Sequence, residues 1–371
     1  MVARGLEGVI AGTTQLSSII DGTLAYHGID IDELAEQALY EEVVFLFYHG
    51  RLPTLAELSA FQDQLAASRA LPDGVLRLLR EAPPTAVPMD LLRTAVSALA
   101  FTEERPNATD RESSVAKGIR LVAQVPTIVA TIGRLRRGLP PVVPPTEEHS
   151  TARSFLMVLH DREPDELEVT AMNRVLVLHA DHEFNASTFA ARVTAATLAD
   201  MHAAVTAAVA ALKGPLHGGA NAAVMQMLEE IGTPDRVEPY ILEKLGRHER
   251  IMGFGHRVYK GEDPRAKWLR DLSHRLGERA GDLRWYELSI RIAEVMQREK
   301  GLHPNVDFYA ASVYHYLGID KELMTPVFAA SRISGWTAHV LEQQADNRLI
   351  RPRAEYVGPV EQHYVPLDQR G

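Results

Sequence analysis

Several stretches of this sequence carry residue types whose spacing suits acid–base chemistry on an anionic ligand. In Gly253-Phe-Gly-His256-Arg-Val-Tyr-Lys260-Gly-Glu-Asp263-Pro-Arg265 a histidine stands among glycines and cations, with Arg250 and Arg257 close by. Glycine lets backbone approach a ligand closely, and a cationic loop entering a helix suits an anion. Asp263 reads as the cap of that helix and Pro264 as its first residue. In Gly214-Pro-Leu-His217-Gly-Gly-Ala-Asn221 a second histidine sits in a tight turn ahead of a helix. The positive end of that helix favours neutral imidazole, which donates a hydrogen bond without carrying charge. A plain helix cap is the other reading of His217.

Asp307, in Pro304-Asn-Val-Asp307-Phe-Tyr, falls at a helix start among Val306, Phe308, Tyr309 and Tyr314. A carboxylate in apolar surroundings has a raised pKa and suits a general base; Asn305 or Asp307 as a simple cap is the competing reading. In His179-Ala-Asp-His182-Glu183 two histidines three apart can share a helix face and hold a metal. The zinc-peptidase pattern His-Glu-x-x-His is absent. Arg332 lies in Ala329-Ala-Ser-Arg-Ile-Ser-Gly335, where a buried guanidinium calls for an anionic partner. Arg351, in Leu349-Ile-Arg-Pro-Arg353, is less distinctive.

The elements that position these residues read as helices. Residues 5–29 form a β-rich lead-in with a hairpin turn at Asp21-Gly22. Periodicity then predicts helices over 32–48, 54–69 (opened by the capping box Thr54-Leu-Ala-Glu57), 73–81, 89–102, and 110–137 with a kink at Pro126. Further helices are expected over 150–160, 165–180, 186–212, from Asn221, after Thr233-Pro234, and over 264–280, 284–299, 306–317 and 322–345. The tail from Arg348 reads as extended and packed on something. The expected fold is all-α.

The chain has 371 residues, 46% hydrophobic and 24% charged, so it can bury a large core. A net charge of −10 argues against nucleic acid or an anionic membrane as partner. There is no cysteine, which excludes disulfides, thiolate nucleophiles and cysteine-based metal sites. No run of about 18 apolar residues and no signal-peptide core is apparent, so a cytoplasmic location is expected.

Taken in order, His179-x-x-His182-Glu, Gly214-Pro-Leu-His217-Gly-Gly, Gly253-x-Gly-His256-Arg-Val…Asp263-Pro-Arg265, Pro304-Asn-Val-Asp307 and Ser331-Arg332-x-x-Gly335 resemble the citrate synthase family over essentially the whole chain. The resemblance is to its short, dimeric bacterial and archaeal form. It implies a large helical domain (1–219 and 313–371) with an inserted smaller helical domain (220–312) that closes over the substrates. The implied reaction condenses acetyl-CoA with oxaloacetate and hydrolyses the thioester to citrate and CoA, with no metal or other cofactor. By the same resemblance Asp307 is the base that takes the methyl proton. His217 stabilises the enol or enolate, and His256 polarises and protonates the oxaloacetate carbonyl. His182, Arg265 and Arg332 bind carboxylates, Arg351 enters from the second subunit of a homodimer, and Lys260 and Lys300 contact CoA. Two positions depart from the family's common pattern: Ala222 follows Asn221 where Glu is frequent, and Tyr26-His27-Gly28 replaces Tyr-Arg-Gly. A 2-methylcitrate synthase using propionyl-CoA shares every motif. More distant readings are a metal-dependent hydrolase built on His179, His182 and His217, and a non-catalytic helical binding protein.

Overall fold

The computed structural model describes residues 4–6, 8–256, 259 and 261–370. The chain enters through a three-stranded antiparallel sheet, β1 (Ser17–Ile20), β2 (Thr23–Tyr26) and β3 (Ile29–Asp30), in that order. Asp21 and Gly22 take φ of 51° and 84°, the left-handed pair a two-residue hairpin requires. Ile19 accordingly pairs with Leu24.

Helices make up all the other elements. The first group is α1 (Ile31–Gln37), α2 (Tyr40–His49), α3 (Leu55–Ala67), α4 (Asp73–Glu81), α5 (Pro88–Leu99), α6 (Arg111–Arg136), α7 (Thr151–His160), α8 (Glu166–His179), α9 (Ala186–Ala195) and α10 (Met201–Leu212). A second group follows: α11 (Ala220–Ile231), α12 (Val237–Gly246), α13 (Ala266–Ala280), α14 (Arg284–Lys300) and α15 (Val306–Tyr316), with α16 (Met324–Ala345) closing the series. Local chemistry explains many starts. Side chains of Asp30, Thr54, Asp110, Ser150, Asp165, Asn185, Asp200 and Asn305 accept from main-chain N–H groups in the first turns.

Three expectations change. The helix expected over 32–48 is two, because Ala38 turns extended and Asn173 of α8 takes over its hydrogen bonds. Asn173 accepts from Tyr40 N–H at 2.9 Å and donates to the Ala38 carbonyl at 2.9 Å. The helix expected over 186–212 is also two; Leu198 has φ 67°, and Asp200 caps the new start by accepting from His202 and Ala203. At 263–266 the helix begins at Ala266, later than expected, after a turn in which Asp263 still acts as a cap, accepting from Arg265 N–H at 3.1 Å, while the same carboxylate also holds the Arg265 guanidinium. The long helix α6 runs on through Pro126.

α16 is the centre of the molecule. It is buried over almost its whole length and packs on α2, α5, α6, α8, α9, α10 and α11. Apolar or small residues on every face suit that position. α6 is long and apolar enough to cross a bilayer, but it too lies inside the helix packing. Helices α11 to α15 pack chiefly on one another, and residue 312, the expected domain boundary, falls inside α15. The described part of the tail beyond α16 has no α-helix or strand, only a 3-10 turn at Leu367–Gln369, and this chain does not cover it, contrary to expectation: Tyr356, Val357, Val360, Tyr364 and Leu367 are exposed.

Candidate active site

Main-chain pairing ties the loop carrying His256 to the segment carrying Asp307. Asn305 N–H donates to the Gly253 carbonyl at 2.9 Å, Gly255 N–H to the His303 carbonyl at 3.3 Å, and Phe254 bridges Pro304. Gly253 is required here. Its φ is 82°, and a Cβ would lie 2.8 Å from both Phe308 and Val224 side chains. The glycines therefore bring two candidate catalytic residues together.

Two of the histidines, His256 and His217, have a defined acceptor nitrogen. A main-chain N–H can only donate, so Tyr259 N–H, 3.3 Å from His256 Nδ1, leaves the neutral ring's proton on Nε2. Burial, with help from the Arg265 charge, lowers the His256 pKa to about 4. In the same way Ser187 N–H donates to His217 Nε2 at 3.2 Å, which puts the proton of His217 on Nδ1. The Ser187 hydroxyl lies 2.8 Å from the same nitrogen and accepts from the Trp336 indole N–H at 3.1 Å. Burial and then the Arg332 charge lower the His217 pKa to about 4. The neutrality expected from the helix start is present, with burial as its largest cause. His182 Nε2 lies 3.1 Å from the Tyr259 hydroxyl, and its ring is 5.1 Å from that of His256. Burial, Arg265 and Arg332 depress its pKa far below the ordinary histidine value.

Asp307 is freed from capping because Asn305 does that work, its side chain accepting from Asp307 N–H at 3.1 Å. The Asp307 residue keeps some exposed area, but its carboxyl group is sunk, and burial raises its pKa to about 6 against the opposing pull of Arg265. That is the range of a base that works near neutrality. Arg332 is buried and stacks on Phe328, 4.7 Å from the ring centre, while its Nε donates to the His179 carbonyl at 2.6 Å. No described residue accepts from its two terminal nitrogens, which leaves them for a carboxylate. Arg265 is already paired. Its Nε and Nη2 reach Asp263 at 2.9 and 2.8 Å, and the same carboxylate accepts from Val306 N–H at 3.1 Å. Against the cost of burial, that carboxylate raises the Arg265 pKa further above its ordinary value. Two buried guanidiniums, two neutral imidazoles with assigned protons and one raised carboxyl group supply what holding an anion and taking up a proton would need.

The family described as "Citrate synthase, C-terminal domain" matches residues 5–353. The chain belongs to the citrate synthase family. It is 53% identical to citrate synthase 2 of Bacillus subtilis over 99% of both chains, and 41% identical to the 2-methylcitrate synthase of Shewanella oneidensis over 100% of this chain and 98% of that one. Citrate synthase of Thermoplasma acidophilum, solved with carboxymethyl coenzyme A and oxaloacetate, superposes with a TM-score of 0.95 at 35% identity, covering 100% of both chains. Like that family, the protein is an acyltransferase-type enzyme with an all-α fold.

Other family positions stand apart from this cluster. Arg351 is exposed in the tail beyond α16, and Lys300 is exposed at the end of α14. Lys260 lies outside the described residues. The expected shared face of His179 and His182 is not present, because α8 ends at His179 and His182 lies in the turn beyond it. The rings of His179, His182 and His217 address Val175, Tyr259 and Ser187 respectively, and no described group of three such side chains is arranged to hold a metal. Sequence reasoning missed Ser187, Tyr259 and Trp336. Ser187 was within reach, since Asn185-Ala-Ser187 reads as a helix start directly after the His182 motif. Trp336 was not, because its contact with Ser187 spans 149 positions.

Proposed function

We propose that the protein is a citrate synthase, condensing acetyl-CoA and oxaloacetate with water to give citrate and CoA. The observation that carries this reading is the pairing of an Asp307 carboxyl raised to about 6 with two neutral imidazoles whose protons are assigned to His217 Nδ1 and His256 Nε2. A thioester methyl is too weak an acid for a carboxylate alone. Asp307 takes its proton while His217 Nδ1–H meets the charge developing on the thioester oxygen. A fixed donor of that kind typically contributes about 3–4 kcal/mol. His256 Nε2–H polarises the oxaloacetate carbonyl and gives its proton to the alkoxide as the carbon–carbon bond forms. Water then cleaves the citryl thioester, releasing CoA. Arg332, Arg265 and His182 hold the dianion and align its carbonyl. Each step uses a side-chain acid or base, so the reading includes no metal or other cofactor.

The same reading takes the chain as a cytoplasmic homodimer. Arg351 of each protomer, exposed here on an uncovered tail, completes the partner's carboxylate pocket, and residues 220–312 close over the substrates. Lys300 and Lys260 are assigned to the CoA side. The competing substrate is propionyl-CoA, one methylene larger, and a hydrophobic pocket discriminates that by only about 1–3 kcal/mol. Comparing kcat/KM for acetyl- and propionyl-CoA with oxaloacetate saturating tests the assignment. Acetyl-CoA is expected to be preferred; a large propionyl preference would make the protein a 2-methylcitrate synthase.

A further inference from the structure

The N-terminal hairpin has no place in the chemistry above, yet it is hydrogen-bonded to both neighbours of His182. Ser17, in β1, donates its hydroxyl to Asp181 Oδ2 at 2.5 Å and accepts from Glu183 N–H at 2.9 Å with the same oxygen. Ile19 N–H donates to Glu183 Oε1 at 2.8 Å. In β2, the Tyr26 hydroxyl lies 3.1 to 3.3 Å from the Val177 and Asp181 carbonyls and from Asp181 N–H. Glu183 is held with φ 49°, a conformation non-glycine residues seldom take without such support. These contacts surround the turn that presents His182 after α8 ends.

The other side of the turn is fixed to the helix carrying Arg332. His339 Nε2, two turns beyond Arg332 on α16, lies 3.0 Å from Asp181 Oδ2. Arg192 Nη1 is 3.0 Å from His339 Nδ1, and a guanidinium only donates, so the His339 proton toward Asp181 is assigned. Gly335 N–H donates to the Ala180 carbonyl at 3.2 Å, and Gly335 is indispensable at that contact, since a Cβ would lie 2.5 Å from Ala180 O and from Asp181 Oδ1. Asp181 and His339 are wholly buried, and Ser17 nearly so. One carboxylate thus joins the hairpin, the His182 turn and α16.

We propose that the hairpin is part of the oxaloacetate site, with Ser17 and Asp181 acting as positioning residues that hold His182 in register with Arg332. Neither touches the substrate. Both act through the two groups that would bind one end of it, and so bear on oxaloacetate rather than on acetyl-CoA. The proposal rests on the citrate synthase reading for the identity of that substrate.

The test is steady-state kinetics of the full-length enzyme and of Ser17→Ala and Asp181→Asn, varying each substrate with the other saturating. In both variants the KM for oxaloacetate is expected to rise fivefold or more, with the KM for acetyl-CoA within twofold and kcat within threefold of the parent. Removing the Asp181 charge would by itself tighten binding of a dianion, so a raised KM in Asp181→Asn reports lost positioning. A lowered oxaloacetate KM in that variant, equal rises in both KM values, or no change in either variant would overturn the proposal. If Asp181→Asn does not fold, Ser17→Ala, which keeps the buried charge, decides. Failure of the unmodified enzyme to release CoA from these substrates would instead refute the functional reading.

Discussion

Asp307 and the three site histidines are pushed in opposite directions by the same burial. Burial disfavours whichever form is charged, so it raises the carboxyl to about 6 and lowers His217 and His256 to about 4. Between those values the histidines are already neutral donors while Asp307 still holds its proton. The base is competent only when ionised, so activity is present above the Asp307 pKa and lost as pH falls through it. The acid limb of kcat/KM for acetyl-CoA is therefore expected at an apparent pKa near 6, falling about tenfold per pH unit below it. A pH–rate profile with a flat plateau down to pH 4.5 would be inconsistent with Asp307 as the base. Arginine shows the same logic of partnership. Arg265 carries its own counter-charge in Asp263, whereas Arg332 has Asp181 as its strongest nearby opposing charge without direct contact, and burial lowers its pKa to about 10. It remains a cation and is the better placed of the two to gain from an incoming carboxylate.

Among the elements, α16 is the one on which the site depends most. It contributes Arg332, then Gly335 and Trp336 one turn on, then His339, so one helix addresses the anion pocket, the end of α8 and the Ser187–His217 contact. Gly335 lets α16 lie against Ala180 and Asp181. A methyl group there would meet backbone oxygen and a buried carboxylate, neither of which can swing away. Gly335→Ala is expected to lower unfolding stability by about 1–3 kcal/mol, the usual cost of overpacking. It should also raise the oxaloacetate KM by moving His182 relative to Arg332. Denaturant titration with a shifted midpoint and unchanged slope would register the first effect. Unaltered stability would mean that α8 and α16 separate without cost, contrary to the packing seen.

For the whole molecule, the uncovered tail is the feature a single chain does not account for. Residues 348–370 carry Tyr356, Val357, Val360, Tyr364 and Leu367 exposed, and with them Arg351. Large apolar side chains left exposed along one segment suit an interaction surface, and a homodimer that shares Arg351 across its interface would use it. Mixed dimers test this. Asp307→Asn and Arg351→Ala homodimers are each expected to lose at least two orders of magnitude in kcat/KM. Subunit exchange between them should regenerate one complete site per heterodimer. Absence of recovery after exchange has been verified by differential tagging would place Arg351 outside the partner's site.

The sequence by itself determined the helical class, the hairpin, most helix starts and the identity of the chemical groups. Those features are local: capping side chains, glycine φ values and apolar periodicity lie within a few residues of what they specify. His217, His256 and Asp307 stood out as candidates because each sits in a short stretch of glycine, proline or asparagine, although a helix cap was a competing reading of both His217 and Asp307. Tertiary structure decided what depends on distant partners. Asn173 breaks the first long helix from 133 positions away, Asp263 adds Val306 N–H, 43 positions on, to its local partners, and a backbone donor from Ser187, 30 positions back, selects the tautomer of His217. It also gave the buried histidines their neutrality, since the desolvation behind it exists only once α16 and its neighbours have closed around them.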